Sequence, residues 1–201
     1  MCDEQTNRET EEFLRSQSLT RRDFSKGGIV ATLAMMLPPP ASAVEVIEQE
    51  VIVKTPDGSL DGFFVHPAEG KHAAVIVWPD IVGIRPAFRA MGTRLAKSGY
   101  SVFVVNPYYR THVGQIVPDG KTFRDPGIRE MLMPHARSLS SDTCVSDGKA
   151  LVSWLDSQPF VDTNRKIGTT GYCMTGSYTM RLAAAIPHRI GAGGSFHGGG
   201  L

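Results

Sequence analysis

Two short apolar runs, at positions 73–78 and 101–105, constrain the fold more than any other feature of this sequence. Neither run alternates polar with apolar residues, and a strand without alternation is buried on both faces, as in the middle of a parallel sheet. Between them, Phe88, Met91 and Leu95 have helical spacing and predict a helix at 86–97. This strand, helix, strand order indicates an α/β fold.

The rest of the chain after position 43 continues the same alternation of strands and helices. The β-rich runs at 46–54 and 60–66 predict a hairpin, because Pro56-Asp57-Gly58 between them is a turn sequence. Further predicted elements are a helix at 137–155, a strand at 166–170, a helix at 174–186 and a Gly-rich strand at 190–196. The segment 111–135 has three prolines and no period, and predicts a long loop. Together these elements predict a doubly wound, mostly parallel sheet with helices on both faces.

The first 43 residues resemble a bacterial twin-arginine export signal. Arg21 and Arg22 precede an apolar stretch at 27–37, which is followed by Ala41-Ser42-Ala43, a small-residue cleavage site. As a helix this stretch would span about 16 Å, half of the ~30 Å hydrocarbon core, so we expect no stable membrane span. We expect the export machinery to bind this leader, and the mature domain, 44–201, to be periplasmic or secreted.

Composition excludes several classes of partner and site. The formal net charge is +1 and the basic residues are scattered, so we expect no nucleic-acid partner. The three cysteines, Cys2, Cys144 and Cys173, and six dispersed histidines have no spacing typical of zinc sites or of a disulfide framework. We therefore expect no metal and no cofactor.

The segment Gly171-Tyr172-Cys173-Met174-Thr175-Gly176 joins a predicted strand to a predicted helix, where an α/β-hydrolase places its nucleophile. Such a tight turn needs small neighbours and exposes one side chain. A helix N-terminus favours a thiolate at Cys173, and the Met174 N–H can stabilise an oxyanion. Two alternatives stay open, namely that Cys173 is a buried core cysteine or that it forms a disulfide with Cys144.

Four segments of the sequence, in this order and spacing, resemble the dienelactone hydrolase family, the cysteine branch of the α/β-hydrolases. They are Trp78-Pro79-Asp80-Ile81-Val82-Gly83, Asn106-Pro107-Tyr108-Tyr109-Arg110, Gly171-Tyr172-Cys173-Met174 and Ser195-Phe196-His197-Gly198-Gly199. The resemblance implies an α/β-hydrolase fold and an enzyme that cleaves a small ester or lactone through an acyl-thioester. It also implies a catalytic triad of Cys, His and Asp.

The resemblance assigns roles to particular residues. Cys173 becomes the nucleophile, and the backbone N–H groups of Ile81 and Met174 form the oxyanion hole. Asp80 stands where the family has a glutamate near the thiol, with a loop acid as the alternative. Arg110 matches an arginine that anchors a substrate carboxylate, a task suited to the guanidinium fork, with a solvated loop arginine as the alternative.

Two further positions near the predicted nucleophile need separate interpretation. Thr175 replaces a glycine that the family has two places after the nucleophile, so we expect the helix to pack less closely on the strand. His197 begins a His-Gly-Gly-Gly segment at the end of the predicted sixth strand. The similar lipase motif precedes the nucleophile instead, so we interpret His197 as structural or as lining the cleft.

No residue of the sequence matches the triad Asp and His, which the resemblance places after Leu201. We therefore expect the 201 residues to hold the first two-thirds of the hydrolase domain and to lack turnover, because no general base faces Cys173. Two other functions stay open: a non-catalytic exported ligand-binding protein with this fold, and a thiol redox protein.

Overall fold

The computed structural model describes residues 44–199, so the predicted leader at 1–43 lies outside the described residues. These residues form one six-stranded sheet with helices on both faces. The strands are β1 (Val46–Thr55), β2 (Gly58–Pro67), β3 (Ala74–Trp78), β4 (Ser101–Val105), β5 (Ile167–Tyr172) and β6 (Ile190–Phe196). The helices are α1 (Pro86–Lys97), α2 (Ile128–Arg137), α3 (Ser141–Asp156) and α4 (Gly176–Ala185). None of the helices within residues 44–199 has both the length and the apolarity needed to cross a bilayer.

The strand order is β1-β2-β4-β3-β5-β6. β1 and β2 form the predicted antiparallel hairpin, and β2 also pairs antiparallel with β4. The remaining pairs, β4 with β3, β3 with β5 and β5 with β6, are all parallel. The predicted α/β-hydrolase sheet, doubly wound and mostly parallel, is therefore confirmed.

The central strands bury both faces, as their unbroken apolar runs predict. Val75 and Val77 of β3 pack with Phe88 of α1 on one face of the sheet. Ile76 and Trp78 of the same strand belong to the core on the other face, where α3 and α4 pack. Successive strand residues point to opposite faces, so one short strand supports both cores.

Two sequence predictions about helices were wrong. The segment 111–135 is not simply a loop, because α2 begins within it at Ile128 and contains Pro134. Ile128 and Leu132, one helical turn apart, pack against Tyr108, and this tertiary packing stabilises a short helix that its proline argued against. The helix predicted from 137 begins only at Ser141, because Ser140 caps it through a reciprocal pair of hydrogen bonds with Thr143.

The strand order changes direction at β3. β3 lies between β4 and β5. The connection after β3 leads to β4 on one side, and the connection after β4 leads to β5 on the other side. Ligands of open α/β sheets bind in the crevice that such a reversal opens beyond the carboxyl ends of the strands. The loop after β3 contains Asp80 and Ile81, and the turn after β5 begins with Cys173.

Candidate active site

Cys173 lies on a strained turn with its side chain exposed. It has a backbone φ of 56° and begins a single 3-10 turn, Cys173–Thr175, between β5 and α4. A left-handed conformation at a residue with a Cβ costs free energy and persists only where the surroundings impose it. The helix α4 begins at Gly176, two residues later than predicted.

The two thiols within residues 44–199 are free and differ in their surroundings. Cys173 is exposed, whereas Cys144 lies on the buried face of α3 and belongs to the core. Burial raises the pKa of the Cys144 thiol to about 12, so this thiol stays protonated and unreactive. The alternatives of a buried Cys173 and of a Cys144–Cys173 disulfide are therefore wrong for this structure.

Two glycines permit the turn because other backbone passes too close for a side chain. A Cβ at Gly171 would overlap the carbonyl oxygen of Thr175 and lie 2.8 Å from its carbonyl carbon. A Cβ at Gly176 would overlap the Cα of Gly198 and lie 2.5 Å from the Ser195 Oγ. Both positions therefore accept only glycine without rearrangement of the backbone.

The segment after β6 lies directly against this turn. The Gly199 N–H donates a hydrogen bond of 3.0 Å to the carbonyl of Cys173. His197, two residues earlier, is exposed and has a φ of 51°. The structure thus places His197 beside the elbow, and its role as a cleft-lining residue stays a prediction.

Asp80 braces the loop that follows β3. Its two carboxylate oxygens accept hydrogen bonds of 2.7 and 2.9 Å from the Arg85 guanidinium, and one also accepts from the Val82 N–H at 3.0 Å. The Asp80 carbonyl accepts from the Gly83 N–H at 2.9 Å, which closes the turn. These bonds favour the loop-acid alternative for Asp80. They also fix the position of Ile81, which lies between Asp80 and Val82 in the chain.

The two predicted oxyanion donors lie on neighbouring loops and are linked by Tyr108. No hydrogen bond between groups of residues 44–199 is donated by the backbone N–H of Ile81 or Met174. The Tyr108 hydroxyl donates to the Ile81 carbonyl at 2.7 Å and lies 3.7 Å from the Met174 Sδ. Burial, and then the charge of Asp80, raises the pKa of Tyr108 far above its usual value, which keeps the hydroxyl a donor.

Tyr108 was not predicted to have a role, although it lies in the segment 106–110 that resembles the family. Its position depends on Asn106, whose side-chain oxygen accepts from the Tyr108 N–H at 3.0 Å. The Asn106 amide nitrogen donates to Asp61 at 2.9 Å and to the His112 carbonyl at 2.9 Å. Asn106 is fully buried. The signal in the sequence was a polar asparagine directly after the predicted buried strand at 101–105.

Thr175 is fully buried and makes contacts that the sequence analysis did not foresee. Its hydroxyl accepts from the Tyr172 N–H at 2.9 Å and lies 2.9 Å from the Trp78 carbonyl and 3.0 Å from the Pro79 carbonyl. Trp78 ends β3 and Tyr172 ends β5. One side chain therefore bonds the ends of both strands that carry the predicted site.

A comparison with protein families decides the classification. The model of the dienelactone hydrolase family matches residues 60–201. The chain belongs to the dienelactone hydrolase family. The match includes the loop after β3, Tyr108 and the elbow at Cys173.

Curated proteins and solved structures are similar to this chain over part of their length. A carboxymethylenebutenolidase of Rhodococcus opacus is 27% identical over 123 residues, which cover 61% of this chain and 43% of the relative. One of Pseudomonas putida is 23% identical over 140 residues, which cover 69% of this chain and 57% of the relative. The solved structure of m3DLH has a TM-score of 0.63 at 24% identity, over 78% of this chain and 61% of that chain. The alignments thus span about half the length of the two curated relatives.

The Arg110 guanidinium of this dienelactone hydrolase family member is bound by carboxylates of the protein itself. It binds both oxygens of the buried Asp147 on α3, at 2.7 and 2.9 Å, and also Asp57 of the hairpin turn at 2.5 Å. A substrate carboxylate would have to displace one of these partners. The geometry therefore argues against the carboxylate anchor that the resemblance implies for Arg110, and equally against a solvated loop residue.

We expect Arg110→Lys to lower stability by about 2 kcal/mol, because an ammonium group cannot reproduce the paired hydrogen bonds to Asp147. Thermal denaturation would show a fall in Tm of roughly 4–8 °C for a domain of this size. The KM values of a neutral ester and of a matched carboxylate-bearing ester should change by the same factor. A selective rise for the carboxylate ester at unchanged Tm would restore the anchoring role.

Two histidines lie close to Tyr108 in this family member. The ring centroid of His135 is 5.8 Å from that of Tyr108 and 6.0 Å from that of His112. His135 also bonds the Thr111 hydroxyl at 2.8 Å. No group of three or more His, Cys, Asp and Glu side chains that could hold a metal occurs within residues 44–199. We assign the two rings to packing between α2 and the loop after β4.

Proposed function

We propose that this dienelactone hydrolase family member cleaves a small-molecule ester or lactone through an acyl-thioester on Cys173. The observation that supports the proposal is the placement of Cys173: exposed, at positive φ, on the turn after β5. Nucleophiles of α/β-hydrolases occupy this turn. The Ile81 and Met174 N–H groups, which donate to no group within residues 44–199, are suited to the oxyanion.

The proposed reaction has two steps. The Cys173 thiolate attacks the carbonyl carbon, so that a C–S bond forms and the carbonyl oxygen becomes an oxyanion; collapse then breaks the C–O bond, and the alkoxide leaves with a proton. In a lactone the leaving hydroxyl stays tethered to the acyl group. Water then attacks the thioester and releases the carboxylic acid and the thiolate. The resemblance implies that a His and an Asp move these protons, and neither matches a residue between 44 and 199.

Covalent trapping tests the proposal directly. The protein expressed from its full reading frame would be mixed with excess p-nitrophenyl acetate, quenched with acid and analysed by intact-protein and peptide mass spectrometry. We expect one acetyl group, on the peptide containing Cys173 and removable by hydroxylamine as a thioester is. Cys144→Ala should acylate normally and Cys173→Ala should not.

The trapping experiment, together with a thiol titration after mild oxidation, separates the proposal from its alternatives. Substrate binding without any acylation would favour the non-catalytic binding protein, and acylation of a different residue alone would contradict Cys173 as the nucleophile. Loss of both free thiols together after mild oxidation would favour the thiol redox protein, which the burial of Cys144 argues against.

We also propose that residues 1–43 direct export by the twin-arginine route. This proposal is supported by Arg21-Arg22, the apolar stretch at 27–37 and the Ala41-Ser42-Ala43 site. In a bacterial host, we expect the protein to be periplasmic and to begin at Val44. The double variant Arg21→Lys, Arg22→Lys should stay in the cytoplasm as the uncleaved precursor, since the charge is kept and only the arginine pair is lost. Immunoblots of periplasmic fractions measure this, and normal export of the double variant would contradict it.

A further inference from the structure

We propose that the Thr175 hydroxyl is a positioning group that holds the two oxyanion donors, Ile81 N–H and Met174 N–H, in one fixed arrangement. The inference rests on the proposed function, because it concerns the donors of that reaction. It concerns a residue at which this chain departs from the glycine that the resemblance leads us to expect.

The Thr175 hydroxyl lies close to both loops that carry the proposed donors. Thr175 directly follows Met174, and its Oγ1 lies 3.0 Å from the carbonyl of Pro79, two residues before Ile81. The same oxygen lies 2.9 Å from the Trp78 carbonyl, 97 residues away in the chain. It thus bonds one donor loop to the other at a point adjacent to both donors.

Water cannot take over the hydrogen bonds of the Thr175 hydroxyl. A hydroxyl has one hydrogen and two acceptor lone pairs. It accepts from the Tyr172 N–H at 2.9 Å, and its single hydrogen is shared among the carbonyls of Trp78, Pro79 and Tyr172 at 2.9 to 3.0 Å. Thr175 is fully buried, so bulk water cannot replace the hydroxyl. Its removal would take this acceptor from the Tyr172 N–H and release the loop after β3 from the elbow.

Oxyanion stabilisation depends on donors that are already in place before the reaction. Removing a single donor of this kind typically costs about 10²- to 10³-fold in kcat. A donor that is kept but displaced costs less, and we expect about a 10-fold effect. The effect should fall on kcat, because the oxyanion exists only in the transition state and intermediate.

The test compares Thr175→Val, which keeps the branched shape, with Thr175→Ser, which keeps the hydroxyl. In the protein expressed from its full reading frame, ester hydrolysis gives kcat and KM, and alkylation of Cys173 by iodoacetamide gives a second rate. Alkylation displaces iodide at a saturated carbon and forms no oxyanion, so it reports the thiolate alone. The matched control is Thr179→Val, because Thr179 is equally buried but its hydroxyl bonds only the Gly176 carbonyl of its own helix.

We expect Thr175→Val to lower kcat about 10-fold, with KM and the alkylation rate each within about 3-fold of wild type. Thr175→Ser should recover most of the loss, and Thr179→Val should behave as wild type. Amide hydrogen exchange should also show faster exchange at Tyr172 in Thr175→Val. If the valine variant does not fold, Thr175→Ala against Thr175→Ser makes the same comparison without added bulk.

Three outcomes would overturn the inference: an unchanged kcat in Thr175→Val, an equal fall in turnover and alkylation, or no recovery in Thr175→Ser. The proposed function fails on a different measurement, namely normal hydrolysis by Cys173→Ala. The two failures are therefore distinguishable.

Discussion

Replacing Cys173 with alanine is expected to lower ester hydrolysis by at least about 10³-fold, because no acyl-thioester can then form. The fold should be preserved. The side chain is exposed, and alanine meets the same left-handed backbone cost as cysteine. The change in stability should therefore stay within about 0.5 kcal/mol, as for other surface substitutions. Initial rates on p-nitrophenyl esters and on a lactone, with thermal denaturation in parallel, measure both expectations.

The matched control for this variant is Cys144→Ala. Cys144 is a buried core residue of α3, so its truncation should cost stability, about 1 kcal/mol, without changing the chemistry. Hydrolysis by Cys173→Ala at the rate of the Cys144→Ala protein would end the claim that the exposed thiol is the nucleophile.

Gly171→Ala is expected to destabilise the protein by about 3 kcal/mol or more. The added methyl group would overlap the Thr175 carbonyl oxygen, which belongs to backbone and cannot rotate away. A cost of 3 kcal/mol corresponds to a fall in Tm of roughly 6–12 °C at this chain size. Because the strain falls on the elbow itself, we also expect turnover to fall in whatever fraction stays folded.

Gly168→Ala, on the same strand, is the control. A Cβ there would lie 3.6 Å from the Val75 Cγ2 and 3.9 Å from the Ala74 carbonyl oxygen, which are ordinary contacts. We expect this variant to differ from wild type by less than about 1 kcal/mol. Equal Tm shifts for the two alanine variants would mean that crowding at the elbow is not what constrains Gly171.

The sheet was predictable from sequence because its strands differ in composition from everything around them. The runs that form β3 and β4 do not alternate polar with apolar residues, which predicted two strands in the middle of a parallel sheet. The turn sequence Pro56-Asp57-Gly58 predicted the hairpin. The elbow was predictable for another reason. The turn requires glycine at 171 and at 176, because other backbone lies too close there for a Cβ.

The rest of the site depends on contacts between segments distant in sequence, and local patterns do not report those. The hydroxyl of Tyr108 finds its acceptor on the loop after β3, and Arg110 finds Asp147 on α3. The resemblance assigns a role to Arg110 from its position in the sequence alone. It gives no information on which carboxylate lies nearest to the guanidinium. The helix α2 was missed for the same reason, since its stability comes from packing on Tyr108 rather than from its own residues.

The pairing of β3 with β5 also sets the order in which this protein can become competent. During synthesis, a nascent chain that has emerged as far as β4 already contains Ile81, yet the elbow that faces it has not been translated. Contacts of such long sequence separation form late, because closing a large loop of chain costs entropy before any contact rewards it. The proposed nucleophile and the two proposed amide donors therefore come together only once the strands on both sides of β3 have assembled.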